Sequence, residues 1–205
     1  MGIPLPAVMF SFEDYLAWEG GQLEKHEFVR GETFAMAGAK RAHVTVSLNL
    51  ASAFKTHLRG TPCRAYMADM KLRVEAADAG FYPDVMVSCD SRDHAADLYL
   101  SHPVLVVEVL SDSTAAYDRG DKFADYRKLP SLQEYAIVDI DSRRVECFRR
   151  NGENHWVLFD FEGVGECEFA SIGLSIPLAA VFEDVEAEEF VKTGAEIYHG
   201  DQIVG

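Results

Sequence analysis

The chemistry legible in this chain rests on Asp84, Glu108 and Lys122. Glu108 interrupts Val104–Leu110, a run otherwise apolar and mostly β-branched. Such a run reads as a strand buried on both faces, because a half-exposed strand would alternate apolar with polar residues. A carboxylate inside it is costly unless it is paired, protonated or holding a cation. Asp84 follows Pro83 in the preceding strand-like run, Phe81 to Ser88. Neighbouring strands can bring two carboxylates together, and like charges at close range resist joint ionisation unless a cation separates them. Oxygen ligands on a partly open site suit Mg²⁺ or Mn²⁺, which retain waters and bind phosphate. The Lys122 ammonium could orient or help deprotonate an attacking water, or stabilise developing negative charge. The residues alone therefore point to a divalent-metal phosphodiester hydrolase, with Asp84 and Glu108 as metal ligands.

Each residue also has an ordinary structural reading. Glu108 could be satisfied by an arginine, a hydroxyl or backbone amides. Asp118 and Lys122 have the spacing of an exposed i,i+4 ion pair, worth only ~0.2–0.5 kcal/mol. Glu27 shares a strand face with Val29, which leaves it either an exposed strand residue or an inward acid. His43 stands one turn before Val46 on an apolar helix face, where a packed or capping histidine is as reasonable as a functional one.

The elements that must position these groups follow from periodicity. Ser11-Phe-Glu-Asp14 predicts a capped short helix ending at Gly20-Gly21. Lys25–Val29 and Glu32–Met36 read as a hairpin turning at Arg30-Gly31. Val46, Leu50, Ala53, Phe54, His57 and Leu58 recur at helical spacing, giving the longest helix from Arg41 to Leu58. Strand-like runs follow at Cys63–Val74, Phe81–Ser88 and Val104–Leu110, with a solvated loop from Cys89 to His102. A helix is expected from about Arg119 to Leu129, capped by Asp118 and stopped by Pro130. On it Asp118, Lys122, Tyr126 and Leu129 share one stripe, which aims Lys122 inward. Strands are expected at Glu134–Ile140, Arg143–Arg149 and Trp156–Phe161, and residues 174–190 read as a short strand and an amphipathic segment.

Composition bounds the setting. A length of 205 residues with 48% hydrophobic and 26% charged residues suits one domain with a sizeable core. Four scattered cysteines without a C-x-x-C argue for a reducing compartment and against structural zinc. No apolar run is long enough to span a membrane, so a soluble, cytoplasmic protein is expected. The net charge of -15 argues against a broad nucleic-acid-binding surface. That charge is uneven. From Asp160 onward there are 11 acidic residues and one basic, so a polyanion would have to approach elsewhere.

Tyr82-Pro-Asp-Val85, Pro103-Val-Leu-Val-Val-Glu-Val-Leu-Ser111, Thr114, Asp118-Arg-Gly-Asp-Lys122 with Tyr126, and Glu134-Tyr135 before Val138-Asp139 form an ordered series. It resembles the Uma2 family of endonucleases (DUF820) in the PD-(D/E)XK nuclease superfamily. Glu27-Phe-Val-Arg-Gly31, the helix opening with His43, and Ile176-Pro-Leu-Ala also resemble that family, so the likeness covers about residues 11–182, leaving an acidic C-terminal segment at 183–205. The resemblance implies an α/β (α+β) restriction-endonuclease-like fold, a central mixed sheet flanked by helices with an N-terminal helix and hairpin. It implies Mg²⁺ or Mn²⁺ held by Asp84 and Glu108, with Glu27 as an added carboxylate. It also implies in-line attack on a DNA phosphodiester, leaving a 5′-phosphate and a 3′-hydroxyl. One position departs from the superfamily pattern, because Leu110 stands where its lysine belongs; Lys122 would replace it from the helix.

Two other readings compete. A non-catalytic member of the same fold, binding nucleic acid or protein, fits the acidic charge and the displaced lysine. A hydrolase of small phosphate esters fits less well, for no histidine cluster is visible. A homodimer would suit an enzyme making paired cuts.

Overall fold

The computed structural model describes residues 11–111 and 114–186. The chain runs α1 (Phe12–Glu19), the hairpin β1 (His26–Val29) and β2 (Glu32–Ala35), and the long helix α2 (Arg41–His57). Then come β3 (Arg64–Met67), β4 (Lys71–Val74), β5 (Ala79–Phe81), β6 (Val85–Ser88), α3 (Ser91–His94), β7 (Tyr99–Leu100) and β8 (Pro103–Val109). A helical segment follows as α4 (Ala115–Tyr117), a π turn (Asp118–Lys122) and α5 (Phe123–Tyr126). The last elements are β9 (Glu134–Asp139), β10 (Arg144–Arg150), β11 (Trp156–Phe161), β12 (Glu166–Phe169), β13 (Leu174–Pro177) and α6 (Leu178–Val181).

The central mixed sheet expected from the sequence has six strands in the order β11-β10-β9-β8-β6-β3, with β8 and β9 parallel and the other pairs antiparallel. Its two faces meet different layers. Leu105, Val107 and Val109 pack with Val46, Leu50 and Phe54 of α2 and with α6. Val106 and Leu110 pack on the opposite face with Leu72, Phe81 and Tyr126. That second layer is largely another sheet, β2-β1-β5-β4-β7, which the sequence did not announce. α1 closes the outside of this sheet, with Phe12 so near Gly80 that an added Cβ would sit 2.6 Å from its ring. Helices thus flank the central sheet on one face, and a sheet with the α4–α5 segment covers the other.

Several local expectations are corrected. Cys63–Val74 is two strands in two sheets, because Ala68 turns the chain with a positive φ of 54°. Phe81–Ser88 likewise divides between sheets at Pro83, which has no N–H to donate to a ladder. The supposed loop from Cys89 to His102 contains α3 and β7. Its Asp93 is buried, accepting from the Ser88 hydroxyl and from the backbone N–H of Ser101 and His102. The helix expected from Arg119 begins earlier, at Ala115, so Asp118 lies inside it and does not cap it. Strand β12 had no sequence expectation. Of the acidic C-terminal segment, residues 187–205 lie outside the described residues.

Cys63 and Cys89 form a disulfide, at odds with the reading of the cysteines as a sign of a reducing compartment. The register explains the encounter, since Arg64 pairs with Ser88 and the two cysteines flank those strand ends. The helix and hairpin at the N-terminus stand as expected, the helix with a full capping box from Ser11 and Asp14. Arg30 and Gly31 both take positive φ (50° and 86°), as a tight two-residue hairpin turn requires. Among the described residues no helix is long and apolar enough to cross a membrane.

Candidate active site

Asp84 and Glu108 reach one another through sheet register. β6 and β8 pair with Val85 opposite Val107, so one residue further Asp84 stands opposite Glu108. Side chains alternate along a strand, and the neighbours Met86 and Val106 both face the second sheet, which assigns the same face to both acids. Directly opposed side chains of an antiparallel pair have Cβ atoms about 5 Å apart. The Val109 backbone N–H donates to Asp84 Oδ2 at 2.7 Å, fixing that carboxylate at the strand end.

Glu108 is held from the helical segment. The Tyr126 hydroxyl donates to Glu108 Oε1 at 2.7 Å, and Lys122 Nζ lies 2.9 Å from the same oxygen. Lys122 also touches Glu27 Oε1 at 2.9 Å and Asp118 Oδ1 at 3.6 Å. The inward stripe expected from 100° spacing therefore exists, and the exposed i,i+4 reading of Asp118 and Lys122 does not hold. The π turn widens the helix over these residues, a local irregularity frequent at functional sites.

Glu27 arrives from β1, in the other sheet, and its inward orientation decides between its two readings. Its contact with Lys122 is off the hydrogen-bonding direction, so a buried carboxylate oxygen keeps no hydrogen-bond donor. All four expected residues thus come together. A fifth was left open by the sequence: His43 Nε2 lies 3.2 Å from Asp84 Oδ2, placed there by the first turn of α2. Asp118 is the sixth, misread as a cap; its spacing to Lys122 was the available signal.

Solvent enters at one side. The Asp84 side chain is 20% exposed and Glu108 only 5%. A groove of about 660 Å³ opens beside Glu27, lined by Val29, Phe34, Thr114 and Tyr117 among others. The electrostatics follow from this depth. Burial pushes Glu108 up to about 8, while Lys122 pulls it down and Asp84 and Asp118 add to the rise. Burial opposes charge on Lys122, but Glu108, Glu27 and Asp118 outweigh it and hold the ammonium well above its ordinary value. Burial likewise disfavours charge on the His43 ring, yet the Asp84 carboxylate overrides it and raises the imidazole.

Three carboxylates touch one ammonium and a fourth faces Glu108, so the cluster carries excess negative charge in a nearly dry place. That donor set, hard oxygens with a carboxylate oxygen lacking a donor, fits a divalent cation of the Mg²⁺ or Mn²⁺ kind. Among the described residues no three His, Cys, Asp or Glu side chains form a ready cage. A cation would therefore take most of its shell from water and phosphate, as Mg²⁺ commonly does.

Other buried acids serve the frame. Glu134 binds Arg149 at 2.9 Å and accepts from the Ser171 hydroxyl and backbone N–H. Asp125 joins Arg30 of the hairpin turn to Lys128. Glu19 accepts from the Tyr82 hydroxyl and the His26 backbone N–H.

Comparisons with known proteins bear on the family and the fold. The model of the Uma2 family, described as "Putative restriction endonuclease", matches residues 12–179. An uncharacterized protein of Synechocystis sp. is 37% identical over 177 residues, covering 86% of this chain and 93% of its own. A second uncharacterized protein of that organism is 34% identical over 160 residues, covering 77% of this chain and 90% of its own. The crystal structure of a putative nuclease belonging to DUF820 from Anabaena variabilis superposes with a TM-score of 0.70 at 15% identity. That superposition covers 84% of this chain and 97% of the other. At that identity it bears on the fold.

Proposed function

The chain belongs to the Uma2 family, and from that premise and the site's geometry we propose that it is an endonuclease hydrolysing DNA phosphodiester bonds with Mg²⁺ or Mn²⁺. The observation carrying the reading is the pairing of Asp84 with Glu108 across β6 and β8, with the buried Lys122 ammonium against Glu108. Asp84 and Glu108 would hold the cation, with Glu27 paired to Lys122 beside them. Bound there, it would lower the pKa of a nearby water and neutralise charge on the phosphate.

The protein's own groups do the rest. The Val109 N–H and the Tyr126 hydroxyl hold the two ligands in place before substrate arrives, which reduces reorganisation during reaction. Lys122 fills the role left vacant by Leu110. Its charge is maintained by Glu108, Glu27 and Asp118, so it acts as an electrostatic stabiliser of the transition state and an orienting donor, not as a base. Depth excludes bulk water around Glu108, and the exposed side of Asp84 admits the phosphate.

The test is cleavage of supercoiled plasmid with Mn²⁺ or Mg²⁺, compared with EDTA. Wild-type protein is expected to nick or cut, and Asp84→Asn and Glu108→Gln to lose that activity while remaining folded. Cleavage persisting in both purified variants would overturn the assignment. Duplex or RNA binding without any metal-dependent cleavage would favour the non-catalytic member of the fold instead.

A further inference from the structure

The groove beside Glu27 has two walls, and each follows from a regular pattern. On the hairpin, β1 and β2 pair with Glu27 opposite Phe34 and Val29 opposite Glu32, so these four side chains share one face. Across from them Thr114, Tyr117, Asp121 and Asp125 recur every three or four residues, which puts them on one side of the helical segment. All eight line the same cavity of about 660 Å³, within the ~300–1,000 Å³ range of small-molecule sites. Arg30 at the hairpin turn reaches Asp125 at 2.8 Å and ties the walls together at that end.

The aromatic rings of this groove have no packing role that accounts for both. Phe34 is 50% exposed, and the whole of β2 is exposed with it. Tyr117 is half-buried on the opposite wall. Among the described residues neither ring stacks on another aromatic side chain. Single exposed apolar residues are ordinary on a protein surface, which covers Leu98 and Val164. Phe34 differs by its position, directly opposite Glu27 in the hairpin register. The Glu27 carboxylate touches Lys122 at 2.9 Å, and Lys122 lies 2.9 Å from Glu108. One ammonium therefore separates the groove from Glu108.

Charge decides what the groove accepts. Glu27, Glu32, Asp121 and Asp125 line it, and Arg30, the one cation among its lining residues, is engaged by Asp125. Phosphate is repelled there. A nucleobase is neutral and offers π faces to aromatic walls, and adenine and cytosine carry amino groups that carboxylate oxygens accept. A base stacked and paired inside a duplex presents no free face, so the nucleotide that enters must be out of the stack.

We propose that Phe34 and Tyr117 receive an unpaired nucleobase next to the scissile phosphate, which makes single-stranded or locally opened DNA the preferred substrate. The assignment rests on the nuclease reading for its polymer. It divides the nucleotide by charge, with the phosphate at the exposed side of Asp84 and the base in the groove.

The first test is cleavage, with Mn²⁺, of labelled oligonucleotides that are single-stranded, carry a central bubble, or are fully paired. Wild-type protein is expected to cleave the first two with the higher kcat/KM. Phe34→Ala removes an exposed ring, and circular dichroism would verify its fold. It is expected to lower kcat/KM on the unpaired substrates by about ten-fold or more, the loss of one stacked base. Phe34→Trp restores a stacking face and should retain the preference. The control Leu98→Ala changes an exposed residue next to β7, the edge of that sheet opposite β2, and should match wild type. Equal or better cleavage of the paired substrate, an unchanged preference in Phe34→Ala, or the same loss in the control would each overturn the proposal.

The second test reads the groove without turnover. A single-stranded oligonucleotide carrying 8-azidoadenine is photocrosslinked to the full-length protein in EDTA at low salt, and the labelled peptides are mapped by mass spectrometry. Label on peptides containing Phe34 or Tyr117 is expected; label only elsewhere, or none, would overturn the proposal. So would a wild-type dimer that Phe34→Ala converts to monomer in sedimentation, since a second copy would then fill the groove. The two readings fail separately. Groove labelling with no cleavage of any DNA removes the nuclease and keeps the base site; cleavage with neither preference nor groove labelling does the reverse.

Discussion

Lys122 and Glu108 meet at 2.9 Å with both side chains buried, although one comes from a helical segment and the other from the centre of the main sheet. This contact ties the two layers together at the point where the charged cluster is deepest. Lys122 compensates Glu108, Glu27 and Asp118 at once, so its loss would leave several desolvated carboxylates facing each other.

Lys122→Met is therefore expected to destabilise the metal-free protein by about 3–5 kcal/mol, as breaking a buried ion pair does. Adding Glu108→Gln should recover part of that loss, because an uncompensated charge disappears. Urea unfolding of the single and double variants measures both. Additive losses would show that the two residues are not coupled.

The pH dependence of metal-free stability has a definite sign. Burial raises Glu108 from 4.5 to about 8, so the folded protein holds a proton that the unfolded chain releases in that interval. Its stabilising contribution is present in full below about 4.5 and is lost as pH rises towards 8. His43, raised by Asp84 against the effect of burial, adds a loss of the same sign as pH rises from 6.5 through its folded value. The melting temperature in EDTA should fall from pH 5 to pH 8, less steeply in Glu108→Gln than in wild type. Parallel profiles would contradict the burial argument.

Tyr126→Phe removes the hydroxyl that donates to Glu108 Oε1 without changing the ring that packs against Phe81 and Tyr135. A lost hydrogen bond to a charged group predicts about 1.5–3 kcal/mol of destabilisation, with less when Glu108 is protonated. Isothermal titration with Mn²⁺ should also show weaker binding, since Glu108 would be less well held. Wild-type affinity and stability together would show that the contact does not position the carboxylate.

Cys63 and Cys89 close a loop of 26 residues in sequence separation. Chain-entropy reasoning assigns such a crosslink about 3 kcal/mol. Thiol titration of the denatured, unreduced protein should find two free thiols, from Cys147 and Cys167. Reduction should lower the urea midpoint; four titratable thiols before reduction would contradict the pairing.

Part of this was legible in the residues alone. The run through Glu108 is buried on both faces as its composition requires, and the 100° spacing of Asp118, Lys122 and Tyr126 does aim them inward. The short capped helix, the hairpin and α2 also follow from capping residues, turn residues and helical periodicity. The division of Cys63–Val74 and Phe81–Ser88 between sheets was not legible, because a strand-like run does not record which ladder it joins.

The sequence by itself determined that a carboxylate lies inside a strand, that a lysine faces the core four residues before a tyrosine, and which family this chain resembles. Only the tertiary structure decided that Glu27 crosses from a second sheet to touch Lys122, that His43 reaches Asp84, and that Cys63 joins Cys89. The reason is physical: periodicity reports which face of an element is removed from water, whereas contacts between distant segments depend on register and layer packing that no local pattern encodes.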